Sequence, residues 1–198
     1  MAPKLILASM SPRRKELMSR ICGCFEVVPP RITERAAGDM PPSEYVKMLA
    51  DEKASEVAGR FPCSWVVGAD TVVAVNGRIL GKPGDAAEAA DMLRMLSGRT
   101  HSVYTGVALI APDGRKTVCS EETRVFFRTL SEEDINAYVS LGECCDKAGA
   151  YAIQGAGALL AARIEGCYFN VVGLPLARLS AMFEDMGVSL AARWRGKL

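Results

Sequence analysis

Near the start of the chain, Ser9-Met10-Ser11-Pro12-Arg13-Arg14 stands where a short apolar run, KLILA, gives way to a helix-starting pattern. Free backbone N–H groups and the positive dipole end at such a turn suit phosphate. Arg13 and Arg14 can add bidentate grips on phosphate oxygens. Taken alone, two arginines in a first helical turn are more often exposed residues that keep a surface helix soluble. A second candidate is Gly68-Ala69-Asp70-Thr71, a carboxylate set among residues that otherwise want burial. A buried, unpaired carboxylate is costly, so Asp70 needs donors, a metal or an open position. A structural Asp bonded to nearby backbone N–H groups satisfies the same requirement. Lys53 shares a helical register with Val46, Leu49 and Val57, which directs it inward. Unless its stem snorkels to water it requires an anion, either a phosphate or an acid such as Asp70 or Glu34.

Two glycine-rich stretches invite motif readings that fail on spacing. In Gly77-Arg78-Ile79-Leu80-Gly81-Lys82-Pro83 the glycines stand one residue too close for a phosphate-binding P-loop, and proline replaces the Ser or Thr. Lys82 remains a point charge on a Gly-Lys-Pro turn. Gly155-Ala156-Gly157 resembles part of a dinucleotide fingerprint, but with no clear strand before it and no helix after it the glycines read as backbone flexibility. The single histidine, His101, in a β-type segment, reads as structural rather than as a general base, and with no pair of CxxC elements it makes no zinc site.

The elements that must position these residues alternate. KLILA and FEVVPP are β-type, separated by a helix capped by Ser11 and running to about Arg20. RITERAAGDMPP, which holds Glu34, reads as a loop. Ser43 starts a long amphipathic helix to about Gly59. WVVGADTVVAV returns through the type I′ signal Asn76-Gly77 into RIL. Asp85 with Glu88, and Ser131 with Asp134, start two further helices. Between these lie two long strands joined at Asp113-Gly114. A Gly/Ala-rich loop then leads into a strand, a last helix begins near Pro175, and RWRGK reads as a frayed end. The fold class expected is α/β, a mixed twisted sheet with flanking helices, in one domain of two lobes spanning 1–198.

Bulk properties narrow the partners. With 198 residues, 49% of them hydrophobic, the chain can bury one substantial core or two small ones. Its 24 basic and 23 acidic residues leave a formal charge of +1, which argues against nucleic acid or an anionic membrane as partner. The first apolar run is too short for a signal peptide or a membrane span, and seven scattered cysteines suit a reducing compartment, so the expected location is the cytoplasm.

Taken together, LILASMSPRRKEL, VVGADTVV, LGKPGDAAEAADMLRMLSGRTHSVYTGVALI, DKAGAYAIQG and NVVGLPL resemble the Maf family of nucleotide pyrophosphatases, in family order and spacing over most of the chain. The resemblance implies an elongated Maf/ITPase-like fold with a central cleft, often dimeric, that hydrolyses a nucleoside triphosphate to the monophosphate and pyrophosphate. Carried onto this sequence, Asp70 would accept the proton of the attacking water. Ser9, Arg13, Arg14, Lys53 and Lys82 would bind the phosphates. Glu34 with Asp70 would hold a divalent cation, Mg²⁺ or Mn²⁺. Arg13, Thr71 and Gln154 together resemble the dTTP/UTP branch rather than the 7-methyl-GTP branch, and the Gln154 amide offers both a donor and an acceptor to a pyrimidine edge. Met10 departs from the smaller or polar residue usual in its loop, which bears on substrate preference. A rival from another class is a nucleotide-binding regulator of cell division without turnover.

Overall fold

The computed structural model describes residues 3–195. Seven strands and seven helices alternate as β1 (Leu5–Ala8), α1 (Pro12–Ser19), β2 (Glu26–Val27), α2 (Pro42–Arg60), β3 (Trp65–Val75), β4 (Arg78–Leu80) and α3 (Ala86–Leu96). There follow β5 (Thr100–Ile110), β6 (Lys116–Phe127), α4 (Glu132–Ser140), β7 (Ala161–Glu165), α5 (Tyr168–Val172), α6 (Leu176–Asp185) and α7 (Leu190–Trp194). The sheet runs β2-β1-β3-β5-β6-β7, with β4 added to β3. It is mixed: β1 pairs parallel with β2 and β3, whereas β4 and β7 pair antiparallel with β3 and β6. Among the described residues, 3–70, 105–121 and 173–195 form one compact unit, and residues 71–104 and 122–172 a second.

In the first unit α2 lies against the sheet unusually closely, and two glycines allow it. A Cβ at Gly68 would stand 2.4 Å from the Ala50 carbonyl oxygen, and one at Gly106 only 2.1 Å from that of Val46. Ala50, Ala54 and Val57 of α2 then pack on Ile6, Ala8, Val66, Ala108 and Ile110. Gly106→Ala therefore forces α2 outward. The expected cost is about 3 kcal/mol, typical of overpacking, seen as a fall in Tm of roughly 10 °C for a chain this size. A melting temperature within a degree or two of the parent would contradict the account.

Local signals mostly act as read. Ser11 caps α1, Asp85 caps α3, and Ser131 with Asp134 makes a full capping box on α4. Asn76 and Gly77 both take positive φ in the β3–β4 hairpin. Three expectations need correction. α2 begins at Pro42 behind Pro41 rather than at Ser43, with prolines setting the first turn and no side-chain cap. Gly155–Leu159 forms a 3₁₀ turn, so the Gly155-Ala156-Gly157 stretch does open a helix and is not merely flexible backbone. Nor does the tail fray as a whole: Leu190–Trp194 is helical, and the guanidinium of Arg193 is buried on Ser180 and Glu184, 5.2 Å over the Phe183 ring. Gly196 and Lys197 of that tail lie outside the described residues.

The second unit has its own core, which gathers Val73, Leu93, Leu96, Val125, Ile135 and Leu160 around an aromatic cluster. His101, Phe127 and Tyr151 meet edge to face at centroid separations of 4.7 to 5.4 Å. His101 is therefore structural, as read, with Nε2 at 2.7 Å from the Tyr151 hydroxyl. Its Nδ1 is buried without a hydrogen-bond partner among the described residues. Burial pushes the His101 pKa down to about 4 from 6.5. The unfolded chain thus binds a proton that the folded chain refuses between those values. Stability is full above pH 6.5 and falls by about 3 kcal/mol as the pH drops to 4. His101→Gln is expected to flatten the Tm-against-pH curve over that window. An unchanged slope would show that other groups govern acid unfolding.

Candidate functional site

Strand register brings the first two motifs together. Ala8 pairs with Gly68 across the parallel β1–β3 ladder, so the Ser9 turn leaves the sheet beside Ala69 and Asp70. Ser9 is buried, and its hydroxyl accepts the Ser11 N–H at 3.1 Å, holding the turn that opens α1. Arg13 and Arg14 follow in the first helical turn and are half-buried, not the freely exposed pair of the solubility reading. Arg14 donates its Nε to the Gly173 carbonyl at 2.8 Å, which fixes the direction of its side chain. Burial lowers the Arg14 pKa, Asp70 opposes the fall, Arg13 adds to it and Glu34 opposes it. These four charges therefore share one electrostatic neighbourhood.

Lys53 completes it. The close approach of Ala50 and Ala54 to Gly68 sets the intervening Lys53 over the end of the β1–β3 pair. It does not snorkel: its ammonium lies 2.6 Å from Asp70 Oδ1 and 2.7 Å from Glu34 Oε1. The Lys53 and Asp70 side chains are 10% and 12% exposed, while Glu34 is 54% exposed. The costly buried carboxylate and the inward lysine anticipated from the sequence thus answer one another. An ammonium carries three donor hydrogens, and two carboxylates take two of them here.

The loop carrying Glu34 is held by residues that the sequence reading passed over. Tyr45 donates its hydroxyl to the Arg35 carbonyl at 2.7 Å, and Glu52 pairs with the Arg35 guanidinium. Glu56 accepts the Arg31 N–H at 3.0 Å, and Arg60 reaches the Pro29 carbonyl at 2.8 Å. All four lie on α2 at spacings of seven, four and four, one helical face. That spacing is the one signal in the sequence that sets these four residues on a common face. Burial, then Asp70 and Glu34, raise the Tyr45 pKa, which places its ring beside the two acids.

Thr71, Lys82 and Gln154 belong to the second unit. Thr71 is the next residue of β3 after Asp70 and is half-buried. Lys82 is exposed on the turn after β4, and the Gly81 carbonyl there accepts the Gly149 N–H at 2.9 Å. Gln154, half-buried, precedes the 3₁₀ turn. Six of the nine candidates, Ser9, Arg13, Arg14, Glu34, Lys53 and Asp70, therefore lie in the first unit, four of them linked by the shared field around Arg14 and a fifth by its ion pairs.

A family model described as Maf-like protein matches residues 4–186. The chain belongs to the Maf-like family. Among its relatives, a dTTP/UTP pyrophosphatase of Moorella thermoacetica is 52% identical over 96% of this chain and 98% of its own length. Another protein of that name, from Pelotomaculum thermopropionicum, is 48% identical over 94% and 98%. A solved dITP/XTP pyrophosphatase from Mycobacterium abscessus shares 22% identity at a TM-score of 0.42 over 63% of this chain and 72% of that one, too distant to carry its chemistry across. The motifs that carry the family resemblance, from Leu5 to Leu176, all fall inside the matched span. No helix among the described residues is long and apolar enough to cross a membrane.

Proposed function

We propose that this Maf-like chain hydrolyses dTTP and UTP, and modified pyrimidine nucleotides of the same shape, between the α and β phosphates. The products are the nucleoside monophosphate and pyrophosphate. The observation that carries the reading is one ammonium, Lys53, held at 2.6 and 2.7 Å between two acids at the mouth of a strand-to-helix turn bearing two arginines. Cleavage of a phosphoanhydride is mostly a matter of placing the nucleophile and neutralising charge that moves onto the leaving group. The names of relatives near 50% identity over almost their full length support the substrate.

In this assignment Arg13, Arg14 and Lys53 take phosphate oxygens, with Ser9 shaping the turn and Lys82 adding a further cation. Water attacks the α phosphorus, its proton passes to Asp70, and the bond from the α phosphorus to the αβ bridging oxygen breaks to release pyrophosphate. Glu34 and Asp70 fit a hard divalent cation in donor type, since both offer carboxylate oxygens and both lie against the same ammonium. Among the described residues no group of three or more His, Cys, Asp or Glu is disposed for a metal. Glu34 and Asp70 are the residues that would hold Mg²⁺ or Mn²⁺, which when bound would supply charge neutralisation. Thr71 and Gln154 are assigned to the pyrimidine. A cytoplasmic homodimer completes the reading, and the mass in solution by light scattering tests the dimer.

The experiment is incubation with Mg²⁺ and a panel of nucleotides, counting pyrophosphate. Release from dTTP and UTP, abolished by chelator, is the expected result. Binding without turnover would make the protein a nucleotide sensor. Faster cleavage of 7-methyl-GTP would move it to the other branch of the family.

A further inference from the structure

The geometry points to Glu143 and Tyr138 as positioning residues that set the orientation of Gln154 and thereby the choice of uracil over cytosine. This inference rests on the proposed role of Gln154 at the pyrimidine edge. The two bases present opposite patterns: uracil has an N3–H donor beside the O4 acceptor, cytosine an N3 acceptor beside an N4–H donor. A carboxamide carries one donor group and one acceptor, so it matches uracil in one orientation and cytosine when turned over. Glutamine by itself does not discriminate. Discrimination must come from whatever fixes the backbone and plane of that residue.

The segment around Gln154 is clamped symmetrically. Two residues before it, the Ala152 N–H donates to the Tyr138 hydroxyl at 3.1 Å. Two residues after it, the Ala156 N–H donates to Glu143 Oε1 at 3.3 Å. Both partners come from α4 and the turn that follows it. The neighbouring glycines are what admit them. A Cβ at Gly155 would lie 2.8 Å from Glu143 Oε1, and one at Gly157 would lie 2.8 Å from the Tyr138 hydroxyl. Gly155 also takes φ +68°, a conformation costly for other residues. Tyr151, three residues before Gln154, is tied to His101.

The other oxygen of Glu143, Oε2, is buried without a hydrogen-bond partner among the described residues. One accepted N–H is a small return for burying a carboxylate, and a segment needed only for packing has no use for it. Tyr138 is likewise buried, and burial pushes its pKa up to about 12, which keeps the hydroxyl neutral as the acceptor for Ala152.

The test compares kcat/KM for UTP and CTP in the parent, Gln154→Ala, Glu143→Ala, Glu143→Gln, Tyr138→Phe and the double variant Glu143→Ala/Gln154→Ala. Glu143→Ala and Tyr138→Phe are each expected to reduce the UTP preference about tenfold, the weight of one hydrogen bond. The change should lie in KM, with kcat for UTP little altered. Glu143→Gln keeps an acceptor for Ala156 and should keep the preference. In the Gln154→Ala background, Glu143→Ala should cost no further selectivity, a non-additivity that general loosening of the fold would not produce. Should Glu143→Ala fail to fold, Tyr138→Phe decides, because it removes one hydroxyl and retains the ring. If Gln154→Ala loses the preference while Glu143→Ala and Tyr138→Phe retain it, or if the losses simply add, the positioning role is overturned and the role of Gln154 stands. If Gln154→Ala leaves the preference intact, both are overturned.

Discussion

Asp70→Asn is expected to lower kcat roughly a thousandfold, the usual loss on removing a positioned general base, with Tm shifted by only a few degrees. The asparagine is of nearly the same volume and keeps an oxygen in place of Oδ1. Lys53 retains its second partner, Glu34 at 2.7 Å, so no cation is left stranded. What disappears is a carboxylate able to take a proton from water at the α phosphorus. Because Asp70 is also one of the two proposed cation ligands, the Mg²⁺ concentration for half-maximal rate should rise as well. A variant with near-parental kcat, measured as pyrophosphate released under saturating UTP, would remove Asp70 from the chemical step.

Lys53→Met is expected to combine the largest loss of stability with a comparable loss of turnover. The methionine fills much of the lysine stem, so packing on Ala50 and Val57 survives. Asp70, however, is left 12% exposed with its 2.6 Å cation gone. Breaking a buried pair from one side costs about 3 kcal/mol or somewhat more, to be read from denaturant midpoints at constant m-value. The double variant Lys53→Met/Asp70→Asn should recover most of that stability and none of the activity. Recovery is the decisive sign. Were the double variant as unstable as Lys53→Met alone, the lysine would act through packing rather than through charge.

Much of this was legible in the residues because the signals were local. Ser11, Asp85 and Ser131 announce helix starts through side-chain oxygens that meet N–H groups three residues on. Asn76-Gly77 announces a hairpin because few other pairs accept positive φ twice. Register pointed Lys53 inward and left two outcomes, a stem that snorkels to water or an ammonium that meets an anion, and the structure shows the second. What escaped depended on distant chain. Nothing near Gly106 says that the backbone of Val46 will lie where its Cβ would be, and nothing near Gly155 says that Glu143 will fill the space. Arg193 read as a frayed basic tail because Ser180 and Glu184, which satisfy it, lie on another helix. FEVVPP looked like a full strand, but the strand is only Glu26–Val27, with the Val28 N–H still donating to the Leu7 carbonyl before two prolines close the segment. The gathering of Glu34 with Asp70 follows from a loop latched by α2, which local patterns do not encode.

The central claim is that water, directed by Asp70, attacks the α phosphorus. Hydrolysis of UTP by the parent protein in ¹⁸O-labelled water, with both products analysed by mass, tests it most directly. The account predicts one labelled oxygen in the uridine monophosphate and none in the pyrophosphate. Label in the pyrophosphate, or orthophosphate as the first product, would contradict it.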